Sequence, residues 1–196
     1  MRPVVTFAYV TGWRINSEVL PIQWRQVDLR VGEVRLDPGT TKNREGRVLY
    51  MTPELHQLLK EQRAAADEIQ RQKKKIVQHV FFHRPMTKIG GFGHLAGHRI
   101  SECGFYQAWR RARTAAGCPG RIPHDFRRTA IRNMVRAGIP ERVAMKLSGH
   151  KTRSVFDRYN VGSDGDLRDA SRRLGHTGGH TSPSLAFGGG EKSQNP

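Results

Sequence analysis

Glycine and proline punctuation constrains this chain more than any other feature, most of all between Pro123 and Tyr159. Phe126, Ala130, Ile131, Met134 and Val135 recur with helical spacing, which predicts a helix from about His124 to Ala137 stopped by Gly138. Ile139-Pro140-Glu141 opens a second helix with Pro140 at its first position, Val143 and Leu147 on its buried face, and Gly149 turning the chain into His150. Thr152 caps a third, short helix carrying Val155, Phe156 and Tyr159.

These short helices set polar groups at fixed intervals. His124 and Arg127 are three apart and share one face near a helix N-terminus, where free N–H groups and partial positive charge suit a phosphate. Each group has a bland reading of its own. A His-x-x-Arg pair is usually solvated, a Gly-His after a helix is usually a C-cap, and a tyrosine ending an amphipathic turn is usually packing. Taken together they are the groups that a phosphodiester enzyme working without metal needs. Guanidinium holds anionic oxygens, imidazole moves protons and a phenol attacks.

Charge points the same way. Lys and Arg number 34 against 17 Asp and Glu, a net charge of +17 that calls for a polyanionic partner, nucleic acid first. The 196 residues suffice for one domain with a core, and the mean hydropathy is -0.64. No apolar run approaches the roughly 20 residues of a membrane span, and the start at Met1 is too short in apolar residues for a signal peptide. Cys103 and Cys118 give no disulfide framework and fit a reducing, cytoplasmic setting.

Upstream, Val4 to Val10 reads as an apolar helix ending at Thr11-Gly12, and Trp13 to Leu20 as a short helix closed before Pro21. Arg14 and Glu18 stand four apart among Ile15, Val19, Leu20 and Trp24, so Glu18 is placed to buttress Arg14. Val27 to Tyr50 alternates with a turn at Asp37-Pro38-Gly39, which predicts three antiparallel strands with Lys42 in a connection. Thr52-Pro53-Glu54 opens a helix with Leu55, Leu58, Leu59, Ala66 and Ile69 as its stripe, running out near Lys73-Lys74-Lys75.

Val80 to Ile100 reads as loop. His79/His83 and His94/His98 have a spacing metals use, but no acidic partner follows, so no metal site is expected; nor does Gly-Lys-Ser/Thr follow the glycines. Ser101 caps a helix with Phe105, Trp109, Ala112 and Ala116 on one face and Gly117 as its stop. Asp164 to Leu174 is a last amphipathic helix, and 175–196 reads as a disordered polar tail. The expected class is mainly α with a small three-stranded antiparallel β-sheet.

Arg14 in Thr-Gly-x-Arg, Lys42 in a β-turn, His124-x-x-Arg127, His150 in Leu-Ser-Gly-His and Tyr159 nine positions later form an ordered set. In order and spacing it resembles the tyrosine recombinases, the phage-integrase family. The likeness covers roughly Val4 to Leu174 and implies a catalytic domain over 1–174. It implies DNA strand cleavage and rejoining through a 3′-phosphotyrosyl link, with no metal, ATP or other cofactor. In that reading Tyr159 is the nucleophile and His124 the general base and later acid. Arg14 and Arg127 clamp the non-bridging oxygens, and Lys42 protonates the departing 5′ oxygen. His150 bonds the phosphate or aligns the attack, and Glu18 supports Arg14. Arg44, Arg110, Arg111, Arg113, Arg128, Lys151 and Arg153 are the expected contacts to double-stranded DNA, with a homo-oligomer, a tetramer in synapsis, as the working assembly. Family members usually carry an N-terminal DNA-gripping domain, whereas this chain starts almost at the first catalytic helix, so a fragment or truncated copy is expected. The alternatives are a type IB topoisomerase-like nicking and resealing enzyme, and a non-catalytic DNA-binding remnant.

Overall fold

The computed structural model describes residues 1–39, 46–84, 93–159 and 164–176. Lys42, Arg44 and the expected disordered tail from 177 onward lie outside the described residues. In chain order the elements are α1 (Arg2–Thr11), a π-turn (Ile15–Val19), β1 (Val27–Asp28), β2 (Glu33–Leu36), β3 (Arg47–Tyr50), α2 (Pro53–Lys73), α3 (Glu102–Ala115), α4 (Asp125–Arg136), α5 (Glu141–Ser148), α6 (Arg153–Asp157) and α7 (Asp164–His176). The chain divides after Val161 into two units, the second of which is described only as α7. Among the described residues no helix is long and apolar enough to cross a membrane.

The sheet follows the alternation of its sequence. Its strands run antiparallel in the order β1-β2-β3, and Val34 lies opposite both Val27 and Leu49. Val34, Leu36 and Leu49 are buried, while Arg35, Val48 and Tyr50 face out. Asp28 Oδ1 accepts from the Arg30 and Val31 N–H groups and shapes the β1–β2 turn, so Val31 is exposed. α2 starts where its cap predicts, with Thr52 Oγ1 accepting from the Leu55 N–H at 3.3 Å. Its stripe of Leu55, Leu59, Ala66 and Ile69 is buried.

The main core joins α1, the π-turn, the sheet, α2 and α3. Phe7 sets its ring edge-on to Trp13 and Phe81, each 5.6 Å away between centroids. A smaller cluster of Ala130, Ile131, Met134, Ala144 and Phe156 holds α4, α5 and α6 together. α1 packs on α4, which brings the Gly12 turn against the helix that carries His124 and Arg127.

Several expectations are corrected or refined. The segment opening at Val80 is irregular, as expected, but its start is packed into the protein: Val80, Phe81 and Phe82 are buried, and the Val80 N–H donates to Ile22 O at 2.9 Å. Its apolar run is too short to show a period, and only pairing with a distant strand-like segment gives it a place. Val143 lies 47% exposed, because α5 turns its small residues Ala144 and Ser148 inward against α4. Pro140 is the residue before α5 rather than its first helical residue, and Thr152 precedes α6 without making a side-chain cap bond. The short helix expected within Trp13 to Leu20 forms over Ile15–Val19, wound as a π-turn rather than as an α-helix.

Candidate functional site

The site begins where α1 stops. Thr11 Oγ1 donates to Phe7 O at 2.8 Å and accepts from the Trp13 N–H at 3.1 Å, folding the chain back sharply. Gly12 takes the left-handed conformation, φ 68°, and a Cβ there would sit 3.2 Å from that of Ala130. This close approach leaves the Gly12 carbonyl facing α4. Arg14 then enters the π-turn, whose width is seen in the Val19 N–H bonding Arg14 O at 3.0 Å and the Leu20 N–H bonding Ile15 O at 2.8 Å. Glu18, fully buried, is turned back over Arg14: Oε2 accepts the Arg14 N–H and Oε1 accepts Nη1, both at 2.8 Å. The Arg14 side chain keeps 26% exposure, so its charge still reaches the surface.

Arg127, three residues after His124 near the start of α4, is buried at 2% exposure. Its Nη1 donates to Gly12 O at 2.6 Å and to Ser148 O at 2.7 Å, tying α1 to α5. Its Nη2 lies 2.9 Å from His150 Nε2. Ser148 Oγ donates to Ala144 O at 2.6 Å and lies 2.8 Å from His150 Nδ1. The serine proton is therefore spent on the helix, Nδ1–H donates to Oγ, and Nε2 is left to accept from Arg127. Burial, then the charges of Arg127, Arg14 and Arg47, push His150 down to about 3, so it is neutral at pH 7. Burial foremost, with Arg14 next, brings Arg127 down to about 10, which leaves it protonated at pH 7.

His124 stands at the N-cap of α4 with Nε2 2.9 Å from the Tyr159 hydroxyl. In the Nδ1-protonated tautomer Nε2 accepts the phenol proton. Desolvation, then the charges of Arg127, Arg128 and Arg14, hold this imidazole below the ordinary histidine value, with Asp125 pulling the other way. The Tyr159 ring lies 5.1 Å from His150 and 5.5 Å from His124 between centroids, and the Arg127 guanidinium carbon is 6.0 Å from its centre. Between the Arg14 segment and the His124–Arg127 face opens a cavity of about 250 Å³, floored by Trp13 and rimmed by Asn16 and Tyr106. Arg14, Arg127 and His124 thus line a cavity large enough for a phosphate group, and His124 in turn holds the Tyr159 hydroxyl.

Arg14, Glu18, His124, Arg127, His150 and Tyr159 are brought together. The expected DNA contacts stand outside this cluster. Arg110, Arg111, Arg128, Lys151 and Arg153 are exposed, Arg128 paired with Asp125 at 3.5 Å and Arg153 with Glu141 at 2.9 Å. Arg113 instead donates through Nη1 to Arg121 O at 3.1 Å, so it braces the turn after α3. Sequence reasoning passed over Arg47, whose Nη2 lies 2.5 Å from Glu18 Oε1, and Trp13, whose indole N–H donates to Leu147 O at 2.9 Å. The signal for Arg47 was its alternation with buried Leu49, which puts it on the inward face of β3.

Residues 1–177 match the profile of the phage integrase family. The integrase of Salmonella phage P22 is 23% identical over 199 residues, covering all of this chain and 48% of that protein, so the chain spans about half the length of this relative. Among solved structures, the XerA recombinase superposes with a TM-score of 0.65 at 16% identity, over 88% of this chain and 62% of that one. The Tn1549 transposon integrase, in complex with a circular intermediate DNA, gives 0.59 at 15% identity over 88% and 58%. These likenesses give the fold: a mainly helical domain with a three-stranded antiparallel sheet. With the profile running from Met1 through α7, this chain belongs to the phage integrase family.

Proposed function

We propose that this chain is the catalytic part, 1–174, of a site-specific DNA recombinase that cuts and rejoins duplex DNA through a 3′-phosphotyrosyl link. The observation that carries the reading is the Tyr159 hydroxyl held 2.9 Å from His124 Nε2, the same His124 that lines a cavity with Arg14 and Arg127. A phenol gives up its proton only near pH ~10, so attack on phosphorus needs an acceptor within reach. His124, kept neutral by its surroundings, takes that proton. Tyr159 Oη forms the bond to phosphorus, the bond to the 5′ oxygen breaks, and Lys42 protonates that leaving oxygen. Arg14 and Arg127 stabilise the charge that grows on the non-bridging oxygens. Nη1 of Arg127 spends both hydrogens on carbonyls and Nη2 one on His150, so three of its donors set its pose and two remain for phosphate. The link conserves the phosphodiester bond energy, and attack by the 5′ hydroxyl of a second strand reverses it.

The partners in this reading are double-stranded DNA, met by Arg44, Arg110, Arg111, Arg128, Lys151 and Arg153, and further copies of the protein in a synaptic tetramer, in the cytoplasm. The DNA-bound Tn1549 integrase supports the duplex partner. The test is incubation with nicked suicide duplexes. A covalent protein–DNA adduct mapping to Tyr159 is expected; an adduct on another residue, or none with any duplex in the full-length protein, overturns the reading.

A further inference from the structure

Arg47 carries none of the roles above, yet it is built into the same site. Its side chain is only 9% exposed and pairs through Nη2 with the fully buried Glu18 at 2.5 Å. Its guanidinium carbon lies 5.3 Å from the centre of the Trp13 ring. Its Nη1 is buried with no hydrogen-bond partner among the described residues. The guanidinium rests on Gly149, next to His150, where any Cβ would overlap it.

We infer that Arg47 is a positioning residue: it shares the Glu18 carboxylate with Arg14, and the seat it needs exists because residue 149 is glycine. The inference deepens the phosphodiester reading of this site. Glu18 Oε1 receives both Arg14 Nη1 and Arg47 Nη2. One buried negative charge is thereby divided between two guanidiniums. Without Arg47, Glu18 would neutralise Arg14 alone, draw it inward, and cost the site one of its positive charges. With Arg47 in place, Arg14 stays held in geometry yet undercompensated in charge, which is the state that attracts an anion. β3 thus supplies the site with a group that sets how strongly the first arginine binds phosphate.

The test uses inorganic phosphate at pH 7.5, read from the ring-proton resonances of His124 and His150. Arg47→Met should weaken phosphate binding at these rings about tenfold, as expected for a lost charge-assisted contact. Arg47→Lys keeps the charge without the planar fork and should fall between. In the Glu18→Gln background the Arg47→Met change should have little further effect. Gly149→Ala should weaken phosphate binding in the wild-type chain and add nothing in Arg47→Ala. Wild-type affinity in Arg47→Met, or the same loss in the Glu18→Gln background, overturns the inference. If Arg47→Met does not fold, Arg47→Lys carries the comparison, and wild-type affinity there overturns it. Phosphate binding does not depend on strand cleavage, so a failure to form a DNA adduct would sink the reading of function and leave this result standing.

Discussion

The Tyr159 hydroxyl and His124 Nε2 lie 2.9 Å apart although 35 residues separate them in the chain. The contact exists because α6 packs Phe156 into the same cluster as Ala130 and Ile131 of α4, which sets the residues just past α6 over the start of α4. Phe156 is wholly buried, so the tyrosine is aimed by the hydrophobic anchor three residues before it.

Tyr159→Phe should abolish the covalent adduct while changing stability by about 1 kcal/mol or less, since one partly solvated hydrogen bond is lost. Adduct trapping and a thermal melt check both halves. A melt shifted by many degrees would mean that the hydroxyl is a structural group.

His124 should act as base well below neutral pH. Its folded value lies below the ordinary 6.5, so the neutral ring persists as pH falls past that point. The single-turnover cleavage rate should therefore hold to below pH 6.5 and then decline as the ring protonates. A decline beginning above 7 would count against this role.

His150 ties stability to pH. It is neutral in the fold down to about 3 but protonates near 6.5 when unfolded. Between those values the unfolded chain binds the extra proton, so stability is lost as pH falls, by up to about 1.4 kcal/mol per pH unit from this residue. Denaturant melts from pH 7 to 4 should show this slope, and His150→Asn, which has no such titration, should flatten it.

Arg127→Lys should be costly to the fold as well as to cleavage. A lysine cannot reach the carbonyls of Gly12 and Ser148 and the His150 ring at once, and unpaired buried oxygens cost about 1–3 kcal/mol each. Denaturation midpoints should fall by an amount matching a loss on the order of 3 kcal/mol. An unchanged midpoint would show the guanidinium to be dispensable to packing.

Gly12→Ala should destabilise by about 1–2 kcal/mol, because its φ is 68° and its Cβ would crowd Ala130 at 3.2 Å. Since this turn presents the carbonyl that Arg127 holds, the adduct rate should fall beyond what the melt accounts for. Equal proportional losses would place the effect in folding alone.

Much of the local structure was legible because its causes are local. Thr52 and Ser101 cap their helices through side-chain bonds to N–H groups three residues on, and Gly138 and Gly149 take positive φ where α4 and α5 end. The β2–β3 alternation buries Val34 and Leu49 as its period requires. The π-turn was not legible, because an i,i+4 pair reads as α-helix. Here Glu18 must reach back to the Arg14 N–H while also meeting Arg47, and the wider turn brings it inside. The exposure of Val143 was hidden for a similar reason: small residues at 144 and 148 won the interior, so that a backbone carbonyl could approach Arg127.

What the sequence by itself determined was the inventory and its order: helices with their stops, a three-stranded sheet, a strongly positive charge, and the residue types suited to phosphate chemistry at fixed spacing. Only the tertiary structure decided which arginines are held and by what. Arg127 reaches a carbonyl 115 residues away and His150 23 residues away, and Arg47 comes from a different strand to share the Glu18 carboxylate. Periodicity says which face a residue occupies, but not which distant face will close on it. That choice is made when the core excludes water, because a buried guanidinium or carboxylate is tolerated only where its partners have already been brought within hydrogen-bonding distance.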